Sequence, residues 1–201
     1  MREVHTPTGP AQVQIDEPEG NIRAVLAIGH GAGGGVDAPD ILAVRTAALA
    51  AGVRVVRITQ PYRVAGRRTP APAGQLDTAW LAVLENLAAE TGTVPLIVGG
   101  RSSGARVACR TAAAAGAVGV VALAFPVHPP GRPEKSRLPE IDAVEVPVFV
   151  VSGERDPFGV TPEAPGREVL VLPGAVHDLR KGVNTIGAAL VGWLARHGWA
   201  A

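Results

Sequence analysis

The sequence predicts an α/β architecture: a mostly parallel, twisted sheet with helices on both faces. Three observations carry this. Six apolar runs rich in Val, Ile and Leu recur along the chain with few polar interruptions, as strands covered on both faces should read. Helical patterns with a single apolar stripe lie between several of these runs. Nothing in the 201 residues reads as a repeat or a long linker, so one domain over residues 1–201 is expected.

The elements follow in order. The first 20 residues read as an edge hairpin turning at Thr8-Gly9. The runs are residues 24–29, 53–59, 95–99, 118–125, 147–152 and 168–172. A helix over 41–51 separates the first two runs, its apolar face read at Leu42, the Arg45 stem, Ala48 and Leu49. A helix over 75–90 carries Leu76, Trp80, Val83, Leu84 and Leu87 on one stripe. A short alanine-rich helix spans 102–115. The last helix, 180–197, lines up Val183, Ile186, Leu190, Trp193 and Leu194. A strand–helix alternation of this kind builds right-handed crossovers and a parallel sheet.

Composition narrows the function. Apolar residues make up 47% and charged residues 18%, a balance that folds rather than staying disordered. A net charge of +1 gives no broad field for nucleic acid or anionic membrane, and neither partner is expected. The single cysteine, Cys109, supports no internal disulfide and no zinc cluster. Residues 1–16 lack a signal-peptide pattern, and no stretch of 18 apolar residues occurs. A cytoplasmic location is the expectation. The excess of Arg over Lys, with abundant Ala, Gly and Pro, reads as codon bias rather than chemistry.

Open parallel sheets bind ligands at the carboxyl ends of their strands, so each strand exit is a place to look for chemistry. The third exit contains Gly100-Arg101-Ser102-Ser103-Gly104 between a strand and a helix. This G-x-S-x-G pattern is a nucleophile elbow, a tight turn that lifts a serine hydroxyl to the start of the next helix. With four serines in the chain, a chance match is expected only about 0.06 times. A serine needs a base and an orienting acid, and behind such an elbow the order is acid, then histidine. The fifth exit offers Asp156, in Glu154-Arg155-Asp156-Pro157-Phe158, and the sixth offers His177, in Gly174-Ala175-Val176-His177-Asp178. Glu154 and Asp178 are competing acids; Asp178 fits better as a loop or helix-capping residue. An oxyanion hole needs two backbone N–H groups. Ser103, after the nucleophile, is one candidate. Ala32, in the glycine loop His30-Gly31-Ala32-Gly33-Gly34-Gly35, is the other, with Gly33 next.

A rival reading takes Gly29-x-Gly31-x-x-Gly34 as a dinucleotide fingerprint. No acid follows the next strand to hold a ribose hydroxyl, although Arg57 and Arg63 could accept a 2′-phosphate. That reading also leaves Ser102, Asp156 and His177 unexplained. Arg63, Arg67 and Arg68, in the loop over 61–74, are either binders of a substrate anion or a solvated basic loop, the plainer reading.

The glycine loop, the elbow with its flanks Gly99 to Arg106, residues 152–158, residues 174–177, and the segments Gln60-Pro61-Tyr62 and 125–131 together resemble the small α/β-hydrolases. More narrowly they look like the group described as dienelactone-hydrolase-like, which includes the hydrolase-like domain of a subunit of an animal chromatin-acetylating complex. The resemblance implies an α/β-hydrolase fold and a triad of Ser102, Asp156 and His177. The elbow departs from that group's pattern at Arg101 (for Lys), Ser103 (for Met) and Ala105 (for Gly). Dienelactone hydrolases proper use a cysteine nucleophile, so lactone specificity does not transfer. The 126–146 segment, where lids often lie, is too short for a cap domain. The expectation is a serine esterase of small molecules, monomer or homodimer, needing no cofactor or metal. A non-catalytic scaffold is the alternative.

Overall fold

The computed structural model describes residues 1–200. Eight strands form one sheet in the order β1-β2-β4-β3-β5-β6-β7-β8. β1 (Arg2–Thr6) and β2 (Gly9–Asp16) form an antiparallel hairpin, and β2 runs antiparallel to β4 (Val53–Thr59). All remaining pairings are parallel, through β3 (Ala24–Gly29), β5 (Leu96–Arg101), β6 (Gly119–Leu123), β7 (Val148–Gly153) and β8 (Arg167–Leu172). The hairpin turns one residue earlier than expected, at Pro7-Thr8. Gly9, with φ of +116°, opens β2 opposite Thr6, and the Thr6 hydroxyl donates to its carbonyl at 2.6 Å.

The central strands are apolar on both faces because each face carries a helix layer. Val25 and Ala27 of β3, Val98 of β5, Val120 and Ala122 of β6, and Val148 and Val150 of β7 face one layer. It is built by α3 (Ala73–Thr91) and α4 (Ser103–Thr111) around Trp80. The alternate residues Leu26, Ile28, Ile97, Val121, Leu123, Phe149 and Val151 face the other. There α1 (Pro39–Ala50) and α6 (Val183–Arg196) pack around Trp193. This two-residue alternation is the pleat itself. Trp80 and Trp193 are both almost wholly buried, and each burial contributes about 2–3 kcal/mol.

One stripe differs from expectation. α1 buries Ile41, Val44 and Ala48, while Leu42 is 36% exposed and Arg45 reaches out to Asp16 at 2.6 Å. The helix is so rich in alanine that its own pattern barely distinguishes two faces. The surfaces of the sheet and of α6 select the row i, i+3, i+7 from Ile41 instead.

Two short helices were not foreseen: α2 (Pro61–Val64) and α5 (Leu138–Asp142). α5 lies in the β6–β7 connection and is tied down to α4. Arg106 makes a two-pronged pair with Glu140 at 2.8 and 2.5 Å, and Arg110 reaches Glu140 at 3.2 Å and Asp77 of α3 at 2.7 and 2.8 Å. Against the desolvation of its half-buried site, these guanidinium groups hold the Glu140 carboxyl below its ordinary value. α5 is a strap on the helix layer, and no segment among the described residues forms a cap.

Candidate active site

The elbow forms where β5 ends at Arg101 and α4 begins at Ser103. Ser102 adopts φ 53° and ψ −109°, a strained conformation for a residue with a side chain. Its N–H donates to the Leu123 carbonyl at 2.8 Å. The turn closes so tightly that a methyl on Gly100 would stand 2.2 Å from the Gly104 carbonyl carbon, and one on Gly104 would stand 2.7 Å from the Gly29 oxygen. Both positions need glycine for this contact.

The structure brings Ser102, His177 and Asp156 together from three strand exits. His177 Nε2 lies 2.8 Å from Ser102 Oγ, and His177 Nδ1 lies 2.8 Å from Asp156 Oδ2. The Asp156 side chain is 1% exposed and the imidazole 18%. An ionised carboxylate only accepts, so Nδ1 donates to Asp156 and Nε2 is left to accept the serine proton. Asp156 Oδ1 accepts the Phe158 N–H at 2.8 Å, which closes the turn after β7. The competing acids are occupied elsewhere. Glu154 accepts the Gly174 N–H at 2.6 Å, and Asp178 accepts the Arg180 N–H at 3.1 Å.

The glycine loop faces the elbow. Residues 31–34 form a turn closed by Gly34 N–H to the Gly31 oxygen at 3.2 Å, with Ala32 at its second position. Tyr62 donates its hydroxyl to the Ala32 carbonyl at 2.8 Å. His30 is buried beneath the loop. Its Nδ1 donates to the Gly31 carbonyl at 2.8 Å and its Nε2 accepts the Gln60 N–H at 3.0 Å. Burial lowers its affinity for a proton, which suits this neutral tautomer. Ser103 opens α4, and first-turn N–H groups have no partner within their own helix. The two N–H groups expected to form an oxyanion hole thus belong to adjoining segments, one pinned by His30 and Tyr62, the other at a helix start.

Other residues singled out in the sequence lie outside the triad. α1 begins at Pro39, five residues after Gly34, so the glycine loop does not run straight into a helix as a dinucleotide fingerprint requires. Arg57 is paired with Asp16 at 3.0 Å and with Asp37. Arg63 turns back onto the Arg67 carbonyl at 3.1 Å, and Arg67 and Arg68 stand exposed. His128 donates Nδ1–H to the Pro129 carbonyl at 2.9 Å, as part of a turn. Cys109 is buried among apolar residues, and desolvation, with Glu140 nearby, pushes its thiol up to about 12.

Sequence reasoning passed over three contributors. Tyr62 holds the glycine loop, Phe158 packs on His177, and Arg101 pairs with a fully buried Asp40. Asp40 reads as an ordinary acid in the first turn of a helix, and nothing local marks its partner.

A family model described as an alpha/beta hydrolase domain matches residues 22–182. The sequence finds no match among curated proteins. Among solved structures, a Xanthomonas campestris protein described as an a/b serine hydrolase without lid aligns with a TM-score of 0.79 at 22% identity, over 98% of this chain and 93% of that one. An alpha-beta serine hydrolase homologue from Coxiella burnetii aligns with a TM-score of 0.79 at 19% identity, over 96% of each chain. An esterase from Pyrobaculum calidifontis aligns with a TM-score of 0.66 at 16% identity, over 96% and 84%. At these identities the alignments speak for the fold, and with the family match over residues 22–182 they lead to one assignment: the chain belongs to the alpha/beta hydrolase family.

Proposed function

We propose that the protein is a serine hydrolase that cleaves carboxylic esters of small molecules. The observation that carries this reading is the hydrogen-bonded chain Ser102–His177–Asp156, at 2.8 Å for each link. Ser102 Oγ attacks the ester carbonyl carbon while His177 Nε2 takes its proton. The electron pair of the C=O moves onto oxygen, where the N–H groups of Ala32 and Ser103 receive it. Collapse expels the alcohol, which leaves with the proton from His177, and a water repeats the sequence to free the acid and Ser102. Asp156 holds the tautomer and stabilises the imidazolium.

An ester substrate agrees with the fold neighbour described as an esterase. A small substrate agrees with a short β6–β7 segment whose α5 is strapped to α4, and with a Ser102 that is only half-buried. The narrower kinship with the dienelactone-hydrolase-like group rests on the motifs. A monomer or homodimer acting in the cytoplasm is part of the same proposal; the chain's single cysteine, Cys109, calls for no disulfide-forming compartment.

The test is p-nitrophenyl acetate hydrolysis with fluorophosphonate labelling read by mass spectrometry. Wild type turns over and is labelled at Ser102. Ser102→Ala loses at least about a thousandfold in rate and is not labelled. Retained turnover in Ser102→Ala rejects the mechanism; a wild type that neither turns over nor labels returns the chain to a binding or scaffold role.

A further inference from the structure

We propose that Arg101, the residue between Gly100 and Ser102, is a positioning residue that holds the loop of His177 and the loop of Ala32 in register with the serine. This deepens the hydrolase reading above and rests on it. Two nitrogens of the guanidinium pair with different segments, and the third packs close to another. Nη2 donates to the backbone carbonyl of His177 at 3.1 Å. Nε lies 3.0 Å from Asp40 Oδ2 at the start of α1, an ion pair without the angle of a hydrogen bond, on the helix that follows the glycine loop. Nη1 packs close to Gly31, 2.9 Å from where a methyl on that residue would stand.

The anchor of this arrangement is Asp40. It is 0% exposed, and its other oxygen accepts the Ile41 N–H at 3.0 Å. Buried this deeply, the Asp40 carboxylate is favoured by a cation beside it, and the Arg101 guanidinium is the one that reaches it. Desolvation raises the Asp40 carboxyl from its ordinary value, and the charge of Arg101 opposes that rise. With the guanidinium fixed, Nη2 is a fixed point for the His177 loop and Nη1 a fixed surface against Gly31. His177 is then held at the imidazole by Asp156 and Phe158 and at the main chain by Arg101, and together these contacts define where Nε2 sits. Lysine carries its three donors on one nitrogen and cannot span the two points that Nε and Nη2 reach.

The experiment uses the full chain and two variants. Arg101→Met combined with Asp40→Asn removes both charges and leaves no lone buried carboxylate. Arg101→Lys keeps the charge and loses the fork. Hydrogen–deuterium exchange is followed in peptides covering residues 29–36 and 175–179, with β6 and β7 as internal references. In the double variant both peptides exchange about tenfold faster, together, while the references are unchanged. Its kcat for p-nitrophenyl acetate falls by about tenfold to a hundredfold, with KM moving by less than about threefold. Arg101→Lys loosens residues 175–179 and recovers only part of kcat. A folded double variant with wild-type exchange in either peptide, or with wild-type kcat, overturns the proposal. Should the double variant not fold, wild-type exchange and kcat in Arg101→Lys overturn it equally. If wild-type Ser102 is not labelled by fluorophosphonate, the hydrolase reading fails by itself, and the exchange of the two loops still decides what Arg101 holds.

Discussion

Phe158 lies over His177, with ring centroids 4.1 Å apart and planes inclined by 30°. The same residue donates its N–H to Asp156 Oδ1 at 2.8 Å. One side chain therefore braces the imidazole from its face, while one amide fills the carboxylate oxygen that the imidazole leaves free. Aromatic contacts of this kind contribute about 0.5–1.5 kcal/mol beyond area burial. Phe158→Ala keeps the backbone amide and removes only the ring. Its expected effect is a fall in kcat/KM of roughly twofold to tenfold with the fold intact, read on p-nitrophenyl acetate and by circular dichroism. A variant with wild-type kcat/KM would show that the ring has no part in placing His177.

Asp156→Asn tests the tautomer. An asparagine amide facing Nδ1 can donate, which leaves the proton on Nε2 and pointed at Ser102, where it cannot take another. The expected loss in kcat is about ten-thousandfold, with KM little changed. A loss of less than about tenfold would mean that another group orients His177.

The elbow makes a sharp contrast between glycines. Gly100→Ala drives a methyl against the backbone of Gly104, which has no room to yield, whereas Gly33→Ala meets nothing within 4 Å. Urea denaturation should show a loss of about 3 kcal/mol or more for the first and less than about 0.5 kcal/mol for the second. Equal stabilities would contradict the tight closure of the turn.

His30 makes stability acid-sensitive. Burial holds its imidazole below the ordinary value of 6.5, so the unfolded chain binds the proton more readily than the folded one. The stabilisation is complete above pH 6.5 and is lost as pH falls from there through the lowered folded value. His30→Gln should be less stable than wild type at about pH 7.5 and should show a shallower decline between about pH 6.5 and 5, in urea melts across that range. Parallel declines in the two proteins would place the acid sensitivity elsewhere.

Much of the fold is local in origin and so was legible. The strands at 24–29 and 53–59 coincide with β3 and β4, because a continuous Val/Ile run between glycine and polar breaks has few other ways to bury itself. The stripe of α3 at Leu76, Trp80, Val83, Leu84 and Leu87 is buried in full, since those large side chains leave no choice of face. In α1 alanine removes that contrast, and the neighbouring layer chose Ile41 and Val44 over Leu42.

The candidate site divides in the same way. Sequence alone determined that a serine stands in a strained turn before a helix, and that an acid and a histidine stand at two later strand exits, because glycine spacing, strand runs and chain order are local properties. Only the tertiary structure decided the contacts among them. Arg101 meets His177 across 76 positions and Ser102 meets it across 75, while Tyr62 reaches Ala32 across 30. Such partners are chosen by the register of parallel strands and by the cost of leaving a buried charge or polar group unmatched, and both are properties of the packed sheet rather than of any segment.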